Sequence, residues 1–323
     1  MRKNFFASLS CAIALLFGTC EGFPQTPQTI TMSYSSTGMT SIQLFIARDK
    51  KMFRGEGIEP LLVRMSANTA IAAGIAGELD ALASIGSAIR AILRGAPLRI
   101  VEVDLRRPIF WLVARPEYRS IKDLKGKILG IVTINGSQHA TAKKMISLGG
   151  LDPDRDLTHL QVGDESLQLQ ALVSNAIQVT AITPPYVFLA RDKFNMNVLE
   201  SSIDKFASIQ QGVGVHVKTL QEKPELVKKI LRAKAKASKF FHENEKETAD
   251  MLSKVWKTDF TSTLEWYRKS KPAFTTTGIP TDEEIKEYLA LEAQTLKLPE
   301  PVQPSKVFDF SLQREVNREL GVK

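Results

Sequence analysis

Four short stretches place hydroxyls and glycines where an apolar run gives way to a helical one. They are Ser35, Ser36, Thr37 and Gly38; Gly86 and Ser87; Gly136, Ser137, Gln138 and His139; and Thr183, Pro184 and Tyr186. The chemistry open to such residues is recognition rather than bond-making. A helix N-terminus offers N–H groups without intrahelical partners and a partial positive charge, which suits an anion or a polar oxygen. Serine and threonine hydroxyls add donors and acceptors that rotate to suit. Each stretch taken alone is equally well explained as the N-cap of its own helix. Four in register favour a shared ligand site, because open α/β sheets bind ligands at the carboxyl ends of their strands.

Groups for catalysis or metal binding do not assemble in the same way. His139, His159, His216 and His242 stand at no metal-ligand spacing, and the two cysteines, Cys11 and Cys20, lie far from them in the chain. Gly212 and Gly214 supply two glycines of a dinucleotide fingerprint without the third. Asp152, Asp154 and Asp156 alternate as in a calcium loop, but Leu157 and Gly163 occupy the positions that need a glycine and an acid. The expectation is a binder and not an enzyme, with no catalytic residue, no metal and no cofactor.

The elements that position the four stretches follow from periodicity. Thr29 to Tyr34 is a strand and 40–53 an amphipathic helix stopped by Gly55 and Gly57. A strand over Ile58 to Val63, a helix over Thr69 to Ala76, a strand over Leu79 to Ile85 and a helix to Leu93 complete a strand–helix alternation. A further apolar strand, Ile109 to Ala114, leads through the polar turn Asp123 to Lys127 into another, Ile128 to Ile134, which runs into Asn135-Gly136-Ser137. From there the alternation repeats at a constant offset. Adding 98 carries Gly38 to Gly136, Gly77 to Asn175, and Leu79 and Ala81 to Ile177 and Val179. Beyond Val213 to Val215 only helices follow, at 224–242, 245–256, 261–270, 281–297 and near 311–320. The fold class is α/β: two lobes, each a central sheet flanked by helices, joined by two hinge strands. Lobe I takes 28–112 and 216–323, lobe II takes 113–215, and the crossings fall near 111–116 and 212–217. Of the aromatic residues at the crossing, alternation turns only one of Phe110 and Trp111 toward the cleft, and Trp111 joins the candidate site. Arg106 and Arg107 either meet an anionic ligand or cap the sheet edge.

At 323 residues the chain can bury two cores. It is 43% hydrophobic and 24% charged, ordinary for a globular protein. The net charge of +8 is spread along the chain. Its densest run, 228–239, has helical spacing and reads as a solvated face, so no nucleic-acid partner is expected. Arg2 and Lys3 precede the apolar run Phe5 to Phe17 and then small residues, the order of a secretory signal over 1–22. Both cysteines fall inside that segment, so the mature chain would have neither a disulfide nor a thiol. Cys20 follows Phe17, Gly18 and Thr19, a poor match to a lipid-anchor signal, and periplasmic export without lipidation is expected.

In these junctions and their surroundings the chain resembles the substrate-binding proteins of ABC importers for sulfonates, nitrate, taurine and thiamine-precursor pyrimidines. The resemblance runs from about Ile30 to about residue 240. It is carried by IARDKKMFRGEGIEP at 46–60, GELDALAS at 77–84, LRGAPLRIV at 93–101, FWLVARPEYRSIKDLKGKILGI at 110–131 and the LVSNAIQVTAITPPYVFLA stretch ending at Ala190. Asn175 and Gln178 depart from the family's usual Gly and Asp. The resemblance implies a type II periplasmic binding fold. It implies a monomer that clamps a small polar or anionic organic solute and delivers it to a permease and its ATPase. A biosynthetic enzyme of the thiamine-pyrimidine type and a periplasmic sensor remain open alternatives; the cysteine-rich motif of the former is missing from the mature chain.

Overall fold

Val, Ile and Leu dominate the strands, and those at the sheet centres are covered on both faces, as parallel-rich sheets require. The computed structural model describes residues 26–203, 205–299 and 301–322. The expected signal segment, with Cys11 and Cys20, lies outside them. The first sheet contains β1 (Gln28–Tyr34), β2 (Ile58–Arg64), β3 (Ala81–Leu82), β4 (Leu98–Leu105) and β10 (Gln211–His216), in the order β2-β1-β3-β10-β4. The second contains β5 (Trp111–Ala114), β6 (Lys127–Ile131), β7 (Leu157–Gln161), β8 (Val179–Ile182) and β9 (Asn197–Ser201), in the order β7-β6-β8-β5-β9. In each sheet the first three strands run parallel and the inserted fourth member, β10 or β5, runs antiparallel.

The offset of 98 holds strand by strand: β1, β2, β3 and β4 map onto β6, β7, β8 and β9. The principal helices are α1 (Ile42–Asp49), α2 (Ala67–Ala76), α3 (Ile85–Leu93), α4 (Ser137–Leu148), α5 (Glu165–Val173), α6 (Pro224–Glu243), α7 (Glu245–Trp256), α8 (Phe260–Ser270), α9 (Asp282–Leu296) and α10 (Ser311–Leu320). Under the same offset α1 maps onto α4 and α2 onto α5. The helical spacing in 224–320 thus yields helices where periodicity places them, each within a few residues. No helix among the described residues is long and apolar enough to cross a membrane.

The crossings between lobes lie elsewhere than periodicity suggests. Trp111 to Ala114 is already a strand of the second sheet, and Gln211 to His216 is already one of the first. The connections are therefore 106–110 and 202–210. They are bonded to each other: Phe110 N–H donates to Ser202 Oγ at 2.8 Å and Ser202 N–H donates to the Phe110 carbonyl at 2.9 Å. The C-terminal helices belong mainly to the first lobe, where α6 packs on α1 and α10. However, α8 reaches across. Its Trp266 ring stands edge-on to Trp111 of the second sheet, centroids 4.7 Å apart, and lies 5.2 Å from Phe188. One apolar core is thereby continuous from Ile30 through Trp266 to Trp111, while β6, β8 and α4 enclose a separate one around Leu129, Met145 and Val179.

Candidate ligand-binding site

The two lobes meet over a cavity of about 50 Å³. The first lobe contributes Ser35, Ser36, Thr40, Ala67, Ser84 and Ser87; the crossings contribute Phe110, Gln210 and Gln211; the second lobe contributes Val132, Thr133, Gly136, Ser137, Gln138 and Glu165. The strand ends dictate this arrangement. Each of β1, β3 and β6 runs its carboxyl end toward the interface, and the following turn hands the chain to a helix whose first residues face the opposite lobe.

All three of those helices begin without a side-chain cap. Ser84 precedes α3 but directs its hydroxyl to Ser35 Oγ at 2.9 Å, and Gly136 precedes α4 with no side chain to offer. Ser66, Asp164, Asp259 and Thr281 cap their own first turns, while α1, α6, α7 and α10 also start without a side-chain cap. The N-termini of α3 and α4 both lie at the cavity, with the partial positive ends of their dipoles; in α3 the Ile85 and Gly86 N–H groups are taken by the Ala83 and Gln210 carbonyls. Two polar atoms lining the cavity lack any partner although their side chains are buried. They are Thr133 Oγ1 and Gln210 Oε1. A buried polar atom left unpaired costs about 1–3 kcal/mol, so both are natural anchor points for a bound molecule.

The lobes approach so closely that glycine is required at their contact. A Cβ on Gly86 would lie 2.2 Å from Ser137 Oγ and 2.8 Å from the Ile209 carbonyl oxygen. One on Gly38 would lie 2.4 Å from Thr183 Oγ1. Direct bonds join the lobes around the cavity. Thr37 Oγ1 and Tyr186 Oη are 2.9 Å apart, Met39 N–H donates to the Pro184 carbonyl at 3.0 Å, Arg90 Nη1 donates to the Asn135 carbonyl at 3.0 Å, and Arg64 pairs with Asp164.

Of the residues singled out from the sequence, Ser35, Ser36, Ser87, Gly136, Ser137 and Gln138 line the cavity. Gln138 has its amide engaged within its own lobe, accepting from Val132 N–H and donating to Gln168 Oε1, so it braces the wall. Thr37, Gly38, Gly86, Thr183, Pro184 and Tyr186 form the lobe contact beside the cavity. Two residues sit elsewhere. Trp111 is buried against Trp266, and Phe110 takes the place at the cavity. His139 turns into the second lobe, where its Nδ1 accepts from Asn135 N–H at 2.9 Å and its Nε2 meets His159 Nδ1 at 2.9 Å. Arg106 and Arg107 are bound to Glu284, not to the cavity.

None of the four junctions contains an acid, but the fold brings one to them. Glu165, the first residue of α5, is 2% exposed and lines the cavity. It accepts from Thr183 N–H at 3.1 Å and from Thr183 Oγ1 at 2.7 Å, and the Ser36 hydroxyl lies within bonding range from the other lobe. Burial pushes its carboxyl up to about 7, against the pull of those three donors. An acid in a first helical turn ordinarily reads as a complement to the helix dipole. Only the fold brings it against Thr183, 18 residues on.

Among solved structures, the fold matches the alkanesulfonate-binding protein SsuA from Xanthomonas axonopodis pv. citri bound to MOPS at 16% identity. That match covers 87% of this chain and 98% of the other, with a TM-score of 0.69. The periplasmic nitrate-binding protein NrtA from Synechocystis PCC 6803 matches at 15% identity over 92% of this chain and 90% of the other, TM-score 0.71. A desulfurization enzyme, DszB, shares the fold at 11% identity over 91% and 99%, TM-score 0.65. No curated protein sequence matches the chain. The architecture is the type II periplasmic binding fold. The family model described as NMT1/THI5 like matches residues 39–248, most of both lobes, and the chain belongs to that family.

Proposed function

We propose that the protein is the extracytoplasmic solute-binding component of an ABC importer. It would hold a small polar or anionic organic solute between its lobes and present it to a permease and ATPase. The observation that carries this reading is the cavity enclosed by two uncapped helix N-termini, one from each lobe. A group held by both lobes stabilises only the closed arrangement, which couples binding to closure. The hinge would be the pair of connections at 106–110 and 202–210, with lobe I formed by the strands and helices before 106 and after 210. The SsuA and NrtA likenesses support an import role. The DszB likeness leaves catalysis on this fold as the competing reading, and no arrangement in the cavity favours it.

The test is a thermal-shift screen of a metabolite library on the purified protein. A solute at 100 times its dissociation constant should stabilise by about 2.7 kcal/mol. Replacing Ser137 with a bulky residue should abolish the shift while the protein stays folded. Turnover of a hit by the purified protein would overturn the transport reading.

A further inference from the structure

The cavity is electrically two-ended. On one side lie the N-termini of α3 and α4, each without a side-chain cap, together with Ser87 and Ser137. On another lies Glu165, fully buried and lining the same space. Among the described residues, no lysine, arginine or histidine lines the cavity. Arg64, at the contact between the lobes, pairs with Asp164. Tyr186 stands beside Glu165 but bonds to Thr37.

The hydrogen bonding around Glu165 is that of a carboxylate. Thr183 N–H can only donate, and Thr183 Oγ1 donates to the same carboxyl oxygen. Ser36 Oγ already accepts from Gly38 N–H at 3.1 Å, which leaves its own proton for Glu165. Hydrogen bonds to the ionised form favour it, yet a buried carboxylate without a cation is costly. The protein provides every stabilising element for the negative charge except the counter-charge.

We infer that the solute provides it: the ligand is a small dipolar ion whose cationic nitrogen pairs with Glu165 and whose anionic group sits at the N-termini of α3 and α4. The inference rests on the solute-binding reading and narrows it to one charge type. It sets aside simple anions such as nitrate or a bare alkanesulfonate, which would bring a second negative charge toward Glu165. An amino acid or aminosulfonate with its two charges a few bonds apart has the charge arrangement that the cavity calls for.

The test uses matched probes that differ only in the ammonium group, glycine against acetate and aminomethanesulfonate against methanesulfonate, titrated calorimetrically into the purified protein. The amino-bearing member of at least one pair should bind tenfold or more tightly than its partner. In Glu165→Gln that preference should fall to within threefold, with affinity for the des-amino anion unchanged or improved. Glutamine keeps an acceptor for Thr183, and an unliganded melting temperature close to wild type would show that the variant folds. As a second readout, affinity for the preferred probe should rise with pH as Glu165 ionises near 7. Equal or tighter binding of the des-amino anions would overturn the inference, as would a preference that survives in Glu165→Gln or no binding of any of the four probes. Each of those results leaves the import reading standing if another solute shifts the melting temperature in the wider screen. That reading fails separately if no solute does.

Discussion

Gly86 of the first lobe faces Ser137 of the second so closely that a Cβ on Gly86 would lie 2.2 Å from Ser137 Oγ. The two residues belong to the first turns of α3 and α4, whose N-terminal ends both face the cavity. The missing side chain is what lets both helix ends reach one small ligand. Gly86→Ala should hold the lobes apart, because the second obstacle is the Ile209 carbonyl at 2.8 Å, which cannot rotate away. Solute affinity should fall at least tenfold, about 1.4 kcal/mol, with little change in the melting temperature of unliganded protein. Calorimetric titration with any hit from the screen checks this; wild-type affinity in the alanine variant would show that the contact is not part of closure.

The repeat of strands and helices was legible from side-chain periodicity because its residues face either core or solvent. The offset of 98 deduced from Gly38 and Gly136 also superposes β2 on β7 and β4 on β9. The crossings were misplaced because β5 is covered on both faces, so that Trp111 to Ala114 reads as a connection as easily as a central strand. For the same reason alternation could not say which of Phe110 and Trp111 faces the cavity. Glu165 escaped notice because its partner Thr183 belongs to a different junction. A carboxyl becomes a site only when burial removes its water, and burial is a property of the packed lobes.

Trp266 ties the C-terminal helices to the second lobe. It is 4% exposed, edge-on to Trp111 and tilted against Phe188. Trp266→Ala should cost about 3–5 kcal/mol, the usual range for removing a buried aromatic side chain, measured by urea denaturation. Affinity for a solute should stay within threefold, since the ring lies away from the cavity. Phe110→Ala, which opens the cavity wall, should do the reverse, losing affinity more than its stability loss explains. A large affinity loss in Trp266→Ala would place the α8 contact in the binding machinery.

The histidine pair in the second lobe has one consistent proton arrangement. Asn135 N–H donates to His139 Nδ1, so His139 carries its proton on Nε2 and donates to His159 Nδ1; His159 Nε2 then donates to the Pro153 carbonyl. A second proton on His139 would need the acceptor that Asn135 occupies. Burial, with His159 and Lys143 adding to it, pulls His139 down to about 4. A histidine depressed in the folded state contributes stability that is present above its unfolded value near 6.5 and lost as pH falls toward 4. Proton NMR of the His139 ring should show no titration between pH 7 and 5. A midpoint near 6.5 would contradict the buried relay and free Asn135, whose carbonyl meets Arg90 from the other lobe.

A buried cluster in the first sheet gives stability the opposite slope at higher pH. Glu102 and Asp104 of β4 share one cation, Lys234 of α6, whose ammonium bonds Asp104. Two carboxyls and one ammonium leave an unbalanced negative charge. Burial, with Asp104 adding to it and Lys234 opposing, pushes Glu102 up to about 8. Because that value lies above the unfolded one, the folded state holds a proton that the unfolded state releases. The stability due to Glu102 is therefore full below about 4.5 and declines as pH rises through about 8. Glu102→Gln, which keeps the shape of the protonated acid, should flatten this decline by up to about 1.4 kcal/mol per pH unit. Urea midpoints of wild type and variant at pH 5, 6, 7 and 8 measure the difference. Glu165 acts in part of the same range but is common to both proteins, so it cancels. The variant should gain on wild type steadily with pH, and parallel curves would mean that Glu102 ionises freely beside Lys234.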